Sequence, residues 1–344
     1  MMLKMAFIGC GKSATRYHMP YIKQRENIEI KSIFNPVWTE EKKEAAGLPE
    51  AAYVTDVTHL LNDEEIELIS ICTPPTTHYE LAKICLQHGK HVLVEKPFCS
   101  TVEEAEEILQ LAKEKELVAM PYQNRRFDSD YLTLVQVLKS EQIGEVIEVE
   151  IHFDRFRPVD ERPAGTKVDG EFYGLGIHLL DKVLALFGIP EQVFYDIRTM
   201  RKLENSDDAF EMQLIYSTKK VILKVNQLIL GDYPSIRVHG RNGSFIKYGM
   251  DQQETCLKAG IMPGEPHFGE DQEEAYGTLR YVENDEVITQ FVPTVTGNYG
   301  SVYDAMYQTI KHGAEKLVSD EEIKMNIHIS QNGIAEETPR LIKL

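Results

Sequence analysis

The stretch Lys4-Met5-Ala6-Phe7-Ile8-Gly9-Cys10-Gly11-Lys12-Ser13-Ala14 decides how the N-terminal part of this chain is read. Residues 4–9 form a short apolar strand pattern that ends in glycine. Gly9, Gly11 and Ala14 then follow the spacing G-x-G-x-x-G/A where a helix pattern opens. In that strand–turn–helix context the spacing suits a dinucleotide. Gly9 permits the tight turn, Gly11 lets a pyrophosphate approach the backbone, and Ala14 lets the helix pack closely on the strand. Lys12 and Ser13 lie in the turn, where free N–H groups at the helix start can hold phosphates. A plain tight turn is the other reading of the same spacing, because glycine-rich strand–helix turns are common.

Working outward, short apolar strands are expected at 28–34, 68–72, 91–94 and 118–122. Helical patterns at 77–88 and 102–115 alternate with them. That alternation predicts a doubly wound parallel sheet covered on both faces, a Rossmann domain over residues 1–122. After about residue 122 the pattern changes. Residues 146–156 and parts of 191–202, 210–216, 220–230 and 235–248 alternate apolar and polar with period two. They predict a largely antiparallel sheet with one face on a core. Helices are expected at 130–139, 173–187, 299–311 and 319–337. The expected second domain, 123–344, is an α+β domain with an open sheet that serves substrate binding and subunit contacts. Its final helix is able to pack back on the first domain. Long loops at 157–171 and 263–269 are placed to carry binding groups.

A chain of 344 residues exceeds what one core usually supports. Its 42% hydrophobic and 27% charged residues have the balance of a soluble globular protein. The net charge of −18 repels phosphate backbones, which argues against nucleic acid. No apolar run reaches membrane-span length. The N-terminus lacks a signal peptide's apolar stretch. Cys10, Cys72, Cys85, Cys99 and Cys256 are odd in number and scattered, as in a cytoplasmic protein with reduced thiols, and no spacing suggests a metal site.

Asn35 stands at the end of the second strand, where an acidic residue normally binds the ribose 2′-hydroxyl. An amide can bond that hydroxyl without repelling a 2′-phosphate. No arginine follows directly, so neither NAD nor NADP is excluded, with a slight lean to NADP or dual use. Glu95-Lys96-Pro97 follows the strand at 91–94, on the sheet edge that faces a cofactor. A lysine there can stabilise developing alkoxide character; an ordinary surface lysine in a turn is the alternative.

These motifs, taken with Thr73-Pro74-Pro75 and His78, His91-Val92-Leu93-Val94-Glu95-Lys96-Pro97, Gln123-Asn124-Arg125-Arg126-Phe127-Asp128, Gly176-Ile177-His178-Leu179-Leu180-Asp181 and Gly243-Ser244-Phe245-Ile246-Lys247-Tyr248-Gly249, resemble the glucose–fructose oxidoreductase/inositol dehydrogenase family. The match runs through nearly the whole chain, in order. Within the family it looks most like the NADP-dependent scyllo-inositol dehydrogenase type. The resemblance implies reversible oxidation of a sugar or cyclitol secondary alcohol to a ketone, with NAD(P) as cofactor. It implies that Lys96 lies in the active site and that His178 transfers the proton. Thr73, Pro74, Pro75 and His78 would serve the cofactor, with Glu95 and Asn124 near the nicotinamide end.

From the residues alone, His178 and Asp181 share one helix face. Neutral imidazole suits removal of an alcohol proton near neutral pH, although a lone histidine at a helix start is commonly structural. Many family members carry an aspartate four residues before this histidine; here that position is Gly174. Three readings follow. Asp181 or Asp169 supplies the carboxylate, Tyr173 replaces it as a hydroxyl partner, or the protein is a weak, altered or inactive enzyme. Arg125, Arg126, Arg155 and Arg157 can bind hydroxyls or a carboxylate of the substrate, with interdomain ion pairs as the alternative. The other histidines, His18 among them, read as structural. Tyr303, Met306 and Tyr307 read as core or subunit packing. Competing functions are a biliverdin- or dihydrodiol-type reductase on the same scaffold and a non-catalytic NAD(P) sensor. The expected partner is a small polyol or sugar, and a homodimer or homotetramer is expected.

Overall fold

The computed structural model describes residues 1–162, 165–335 and 337–343. The chain forms two compact units, each discontinuous in sequence. The first comprises Met1–Asn124, Leu257–Phe268 and Asn298–Ile327; the second comprises Arg125–Cys256, Gly269–Gly297 and His328–Leu344.

The first unit holds β1 (Leu3–Ile8), β2 (Ile28–Phe34), β3 (Ala52–Val54), β4 (Leu68–Ile71), β5 (His91–Val94) and β6 (Ala119–Pro121). All pair in parallel, in the order β3-β2-β1-β4-β5-β6. Met5–Ile8, Leu68, Ile69 and Val92–Val94 are wholly buried, as strands covered on both faces must be. The strand order reverses between β1 and β4, which puts the crevice of a doubly wound sheet at their carboxyl ends. The helix Ser301–His312 adds Tyr303 and Met306, both fully buried, to this core.

The second unit holds β7 (Val146–His152), β8 (Gln192–Arg198), β9 (Ala209–Ile215), β10 (Lys220–Asn226), β11 (Ile236–Gly240), β12 (Gly243–Lys247), β13 (Gly277–Glu283), β14 (Glu286–Val292) and β15 (Arg340–Lys343). Their order is β14-β13-β12-β11-β7-β10-β9-β8-β15, antiparallel except where β7 meets β10. Register aligns one apolar face: Val221 opposes Leu214, Leu223 opposes Met212 and Val225 opposes Phe210. The expected long strand at 146–156 stops at His152, and beyond it Phe156 bridges Leu228. Residues 235–248 form two strands joined at Arg241-Asn242. Of the expected loop at 157–171, residues 163 and 164 lie outside the described residues, as does residue 336 of the expected final helix, which spans Asp320–Ala335. Among the described residues, no helix is long and apolar enough to cross a membrane.

Candidate active site

In the first unit the glycine-rich turn leaves β1. Gly9 has φ +99°, and a Cβ there would lie 2.4 Å from Cys72 O, so only glycine fits. Gly11 differs. A Cβ there would meet nothing within 4 Å, so no protein atom requires its small size. The clear space over the turn fits an approaching pyrophosphate. Ala14 is fully buried beneath the turn and Lys12 is exposed above it.

Ser13 Oγ donates to Glu95 Oε1, and the backbone N–H of Lys96 donates to Glu95 Oε2 at 3.0 Å. One carboxylate thus ties the nucleotide turn to the lysine. His18 Nε2 lies 3.0 Å from the same Oε1, its Nδ1 is 2.6 Å from the Tyr303 hydroxyl, and that hydroxyl is 3.1 Å from Ser70 Oγ. Burial alone would raise the Glu95 pKa. The bonds from His18 and Ser13, with the nearby Lys96 charge, overcome it and hold the carboxyl at about 2. His18 and Tyr303, read from sequence as packing residues, therefore belong to the support of Glu95. No sequence spacing signals this, because they lie at opposite ends of the chain.

Thr73 follows β4, its hydroxyl 2.7 Å from that of Thr77, and Pro74 and Pro75 are exposed at the same edge. His78 lies beneath the same edge. It is fully buried, with Nδ1 2.7 Å from Pro97 O and Nε2 2.9 Å from Thr73 O. Its ring braces two loops from below. Asn124 is buried after β6, at the end of this unit's first segment. The Asn35 amide nitrogen donates to Val37 O after β2. The same carbonyl accepts from Lys42 Nζ at 2.9 Å, and Cys10 of the glycine turn contacts Lys42 O at 4.0 Å. A cation therefore stands beside Asn35. Sequence reasoning looked for an arginine directly after Asn35 and missed a lysine in the following helix, Glu40–Ala46.

In the second unit, the π-type turn Phe172–Gly176 leads into the helix Ile177–Phe187. Residues Ile177–Leu184 of that helix are all buried, and His178 is 7% exposed. The Arg126 guanidinium grips both oxygens of Asp181 at 2.8 Å. The Asp181 carboxylate is the buried counter-ion of Arg126, and the pair ties the helix to the turn Asn124–Phe127. Asp169 is also committed, accepting at 2.8 Å from the N–H and hydroxyl of Thr166. Tyr173 is buried within the turn. At Gly174 a Cβ would meet nothing within 4 Å, so crowding does not exclude an aspartate there.

Asp207 was not singled out in the sequence. Its Oδ2 accepts from Phe172 N at 2.7 Å and its backbone oxygen from Glu171 N at 3.1 Å. A Cβ on Gly170 would fall 1.7 Å from Asp207 Oδ1. The segment entering the His178 helix is wrapped around this carboxyl. Burial pushes the group up to about 6, with Glu171 and Asp208 adding to the rise, while the Phe172 N–H and Arg162 oppose it. Lys182, also on the His178 helix, pairs with Asp128 at 2.7 Å and Asp130 at 3.4 Å.

Comparison with known proteins agrees with this architecture. Residues 3–123 match the model of an oxidoreductase family with an NAD-binding Rossmann fold, and residues 135–336 match the model of that family's C-terminal alpha/beta domain. The chain is 46% identical over 347 residues to the uncharacterized oxidoreductase YhhX of Escherichia coli (strain K12), covering 100% of this chain and 99% of that protein. It is 32% identical over 323 residues to the scyllo-inositol 2-dehydrogenase (NADP(+)) IolW of Bacillus subtilis (strain 168), covering 93% and 89%. A crystal structure of an oxidoreductase from Bacillus cereus superposes with a TM-score of 0.97 at 49% identity, covering 100% and 99%. The chain is an oxidoreductase that belongs to the Gfo/Idh/MocA family, with an NAD-binding Rossmann fold.

Proposed function

We propose that the protein catalyses reversible oxidation of a secondary alcohol of a sugar or cyclitol to a ketone, with NADP the favoured cofactor. The observation that carries this reading is Glu95. Its carboxylate binds both the nucleotide turn, through Ser13, and the backbone of Lys96, so cofactor and lysine share one support. Bound nicotinamide supplies the acceptor or donor of the hydride. The Lys96 ammonium orients the substrate hydroxyl and stabilises developing negative charge on its oxygen. His178 takes the alcohol proton in oxidation and returns it in reduction. Asp181 acts through Arg126 by fixing the helix that carries His178. Lys42, beside Asn35, supplies positive charge for a 2′-phosphate, and the relative named as a scyllo-inositol 2-dehydrogenase is NADP-dependent by name.

The same reading includes a cytoplasmic setting with reduced thiols and a homodimer or homotetramer. Val287 and Phe291 of β14 are 60% and 71% exposed, apolar surface suited to a second copy. Light scattering at micromolar concentration that shows only monomer contradicts the oligomer.

The test of the activity is purified protein against inositols, inosose ketones and aldoses with each of NAD(H) and NADP(H), read by reduced-nicotinamide absorbance. Turnover of a cyclitol or sugar supports the reading. Tight cofactor binding without turnover of any member contradicts it.

A further inference from the structure

Strand pairing continues past the end of β7: Phe153 N donates to Lys224 O at 2.9 Å and Arg155 N to Asn226 O at 3.0 Å. With a period of two, Phe153 and Arg155 follow Val149 and Ile151, so Arg155 leaves the sheet on its apolar face. Two guanidiniums lie over the Phe153 ring, with Arg125 Cζ 5.0 Å and Arg155 Cζ 4.7 Å from its centroid. Arg125 is neutralised by Glu254 at 2.8 Å and Asp128 at 3.5 Å. Arg155 is not. Among the described residues its guanidinium has no carboxylate within 4 Å and no hydrogen bond; its contact is the Phe153 ring.

Half-burying a charge without a counter-ion is costly. Burial, together with the like charges of Arg157 and Arg125, lowers the Arg155 pKa, while Glu254 and Glu171 oppose the shift. In a chain with 55 acidic and 37 basic residues, a half-buried guanidinium that makes no ion pair among the described residues is suited to an oxyanion. The position relates it to the chemistry. Glu171, whose charge reaches Arg155, begins the segment leading to His178, and Arg126, next to Arg125, holds Asp181 on the same helix.

We propose that Arg155, assisted by Arg125 and Arg157, binds a carboxylate or phosphate on the substrate, which makes the substrate a sugar acid or sugar phosphate. This rests on the polyol oxidoreductase reading above, but it is tested by binding and needs no turnover.

The experiment is calorimetric titration of the full-length protein, with NADP present, using D-gluconate and D-glucose 6-phosphate against the neutral D-glucitol and D-glucose. The wild type is expected to bind at least one anion about tenfold or more tighter than its neutral counterpart, the size of one charge-assisted hydrogen bond. Whichever anion is preferred identifies the group as carboxylate or phosphate. Arg155→Gln is expected to lose the preference and Arg155→Lys to keep part of it, with unfolding midpoints confirming that both variants fold. Equal binding of anionic and neutral probes, no binding of either anion, or a preference that survives Arg155→Gln overturns the proposal. An intact preference in a protein that turns over no polyol leaves the anion site standing and removes the hydride-transfer reading.

Discussion

Arg126 holds both carboxylate oxygens of Asp181 at 2.8 Å, with the two side chains 7% and 3% exposed. The pair fixes an aspartate one turn from His178 on the same helix. Removing the arginine takes the bidentate counter-ion from a buried carboxylate. Arg126→Gln is expected to lower unfolding free energy by about 3–5 kcal/mol. In the double variant with Asp181→Asn the two effects should add to less than their sum. Denaturant unfolding measures both; a loss below about 1 kcal/mol would place the pair among weak surface bridges.

Lys42 is the residue by which NADP and NAD should be distinguished. Lys42→Ala is expected to weaken NADP binding on the order of tenfold, the size of one charge-assisted hydrogen bond, and to leave NAD binding within about twofold. Fluorescence titration with both reduced cofactors checks this. An equal loss for both would make Lys42 a support of the glycine turn only.

The first unit was legible in sequence because its strands are continuous buried runs. β1 and β5 appeared within a residue or two of where they stand, and Gly9's positive φ is what a tight strand–helix turn demands. The hairpin of β13 and β14 was missed. Its strands carry exposed charged and polar residues such as Arg280, Glu286 and Gln290, so the alternation is faint. Its turn at Asn284-Asp285, where both residues have positive φ, was the available signal. His178, Lys96 and the glycine turn stand out in sequence through motifs. Asp207, His18 and Tyr303 do not, because their roles come from contacts between residues far apart in the chain.

Asp207 makes stability depend on pH with a definite sign. Its folded pKa, about 6, lies above the ordinary 3.8, so the fold prefers the protonated form. That contribution is complete below about pH 4 and is lost as pH rises through about 6. Relative to wild type, Asp207→Asn should therefore gain stability between pH ~4 and ~8, by up to roughly 3 kcal/mol. Glu95 has the opposite sign: held at about 2, it stabilises above its ordinary 4.5 and fails as pH falls through 2. Urea unfolding at the two pH values, compared between wild type and Asp207→Asn, checks the slope. A difference independent of pH removes Asp207 as its source.

Lys96→Ala should reduce turnover at least about a hundredfold, as loss of an electrostatic group aimed at developing charge does, with cofactor affinity kept. Loss of cofactor affinity instead would reassign Lys96 to the nicotinamide.

The most direct measurement compares wild type with His178→Ala on whichever cyclitol or sugar the wild type oxidises, with cofactor affinity determined on the same samples. The expected result is a fall in turnover of roughly 10²- to 10⁴-fold, the usual size of a general acid–base contribution, with cofactor binding unchanged. A variant within a few-fold of wild type would contradict the account, because the proton would then be moved by another group.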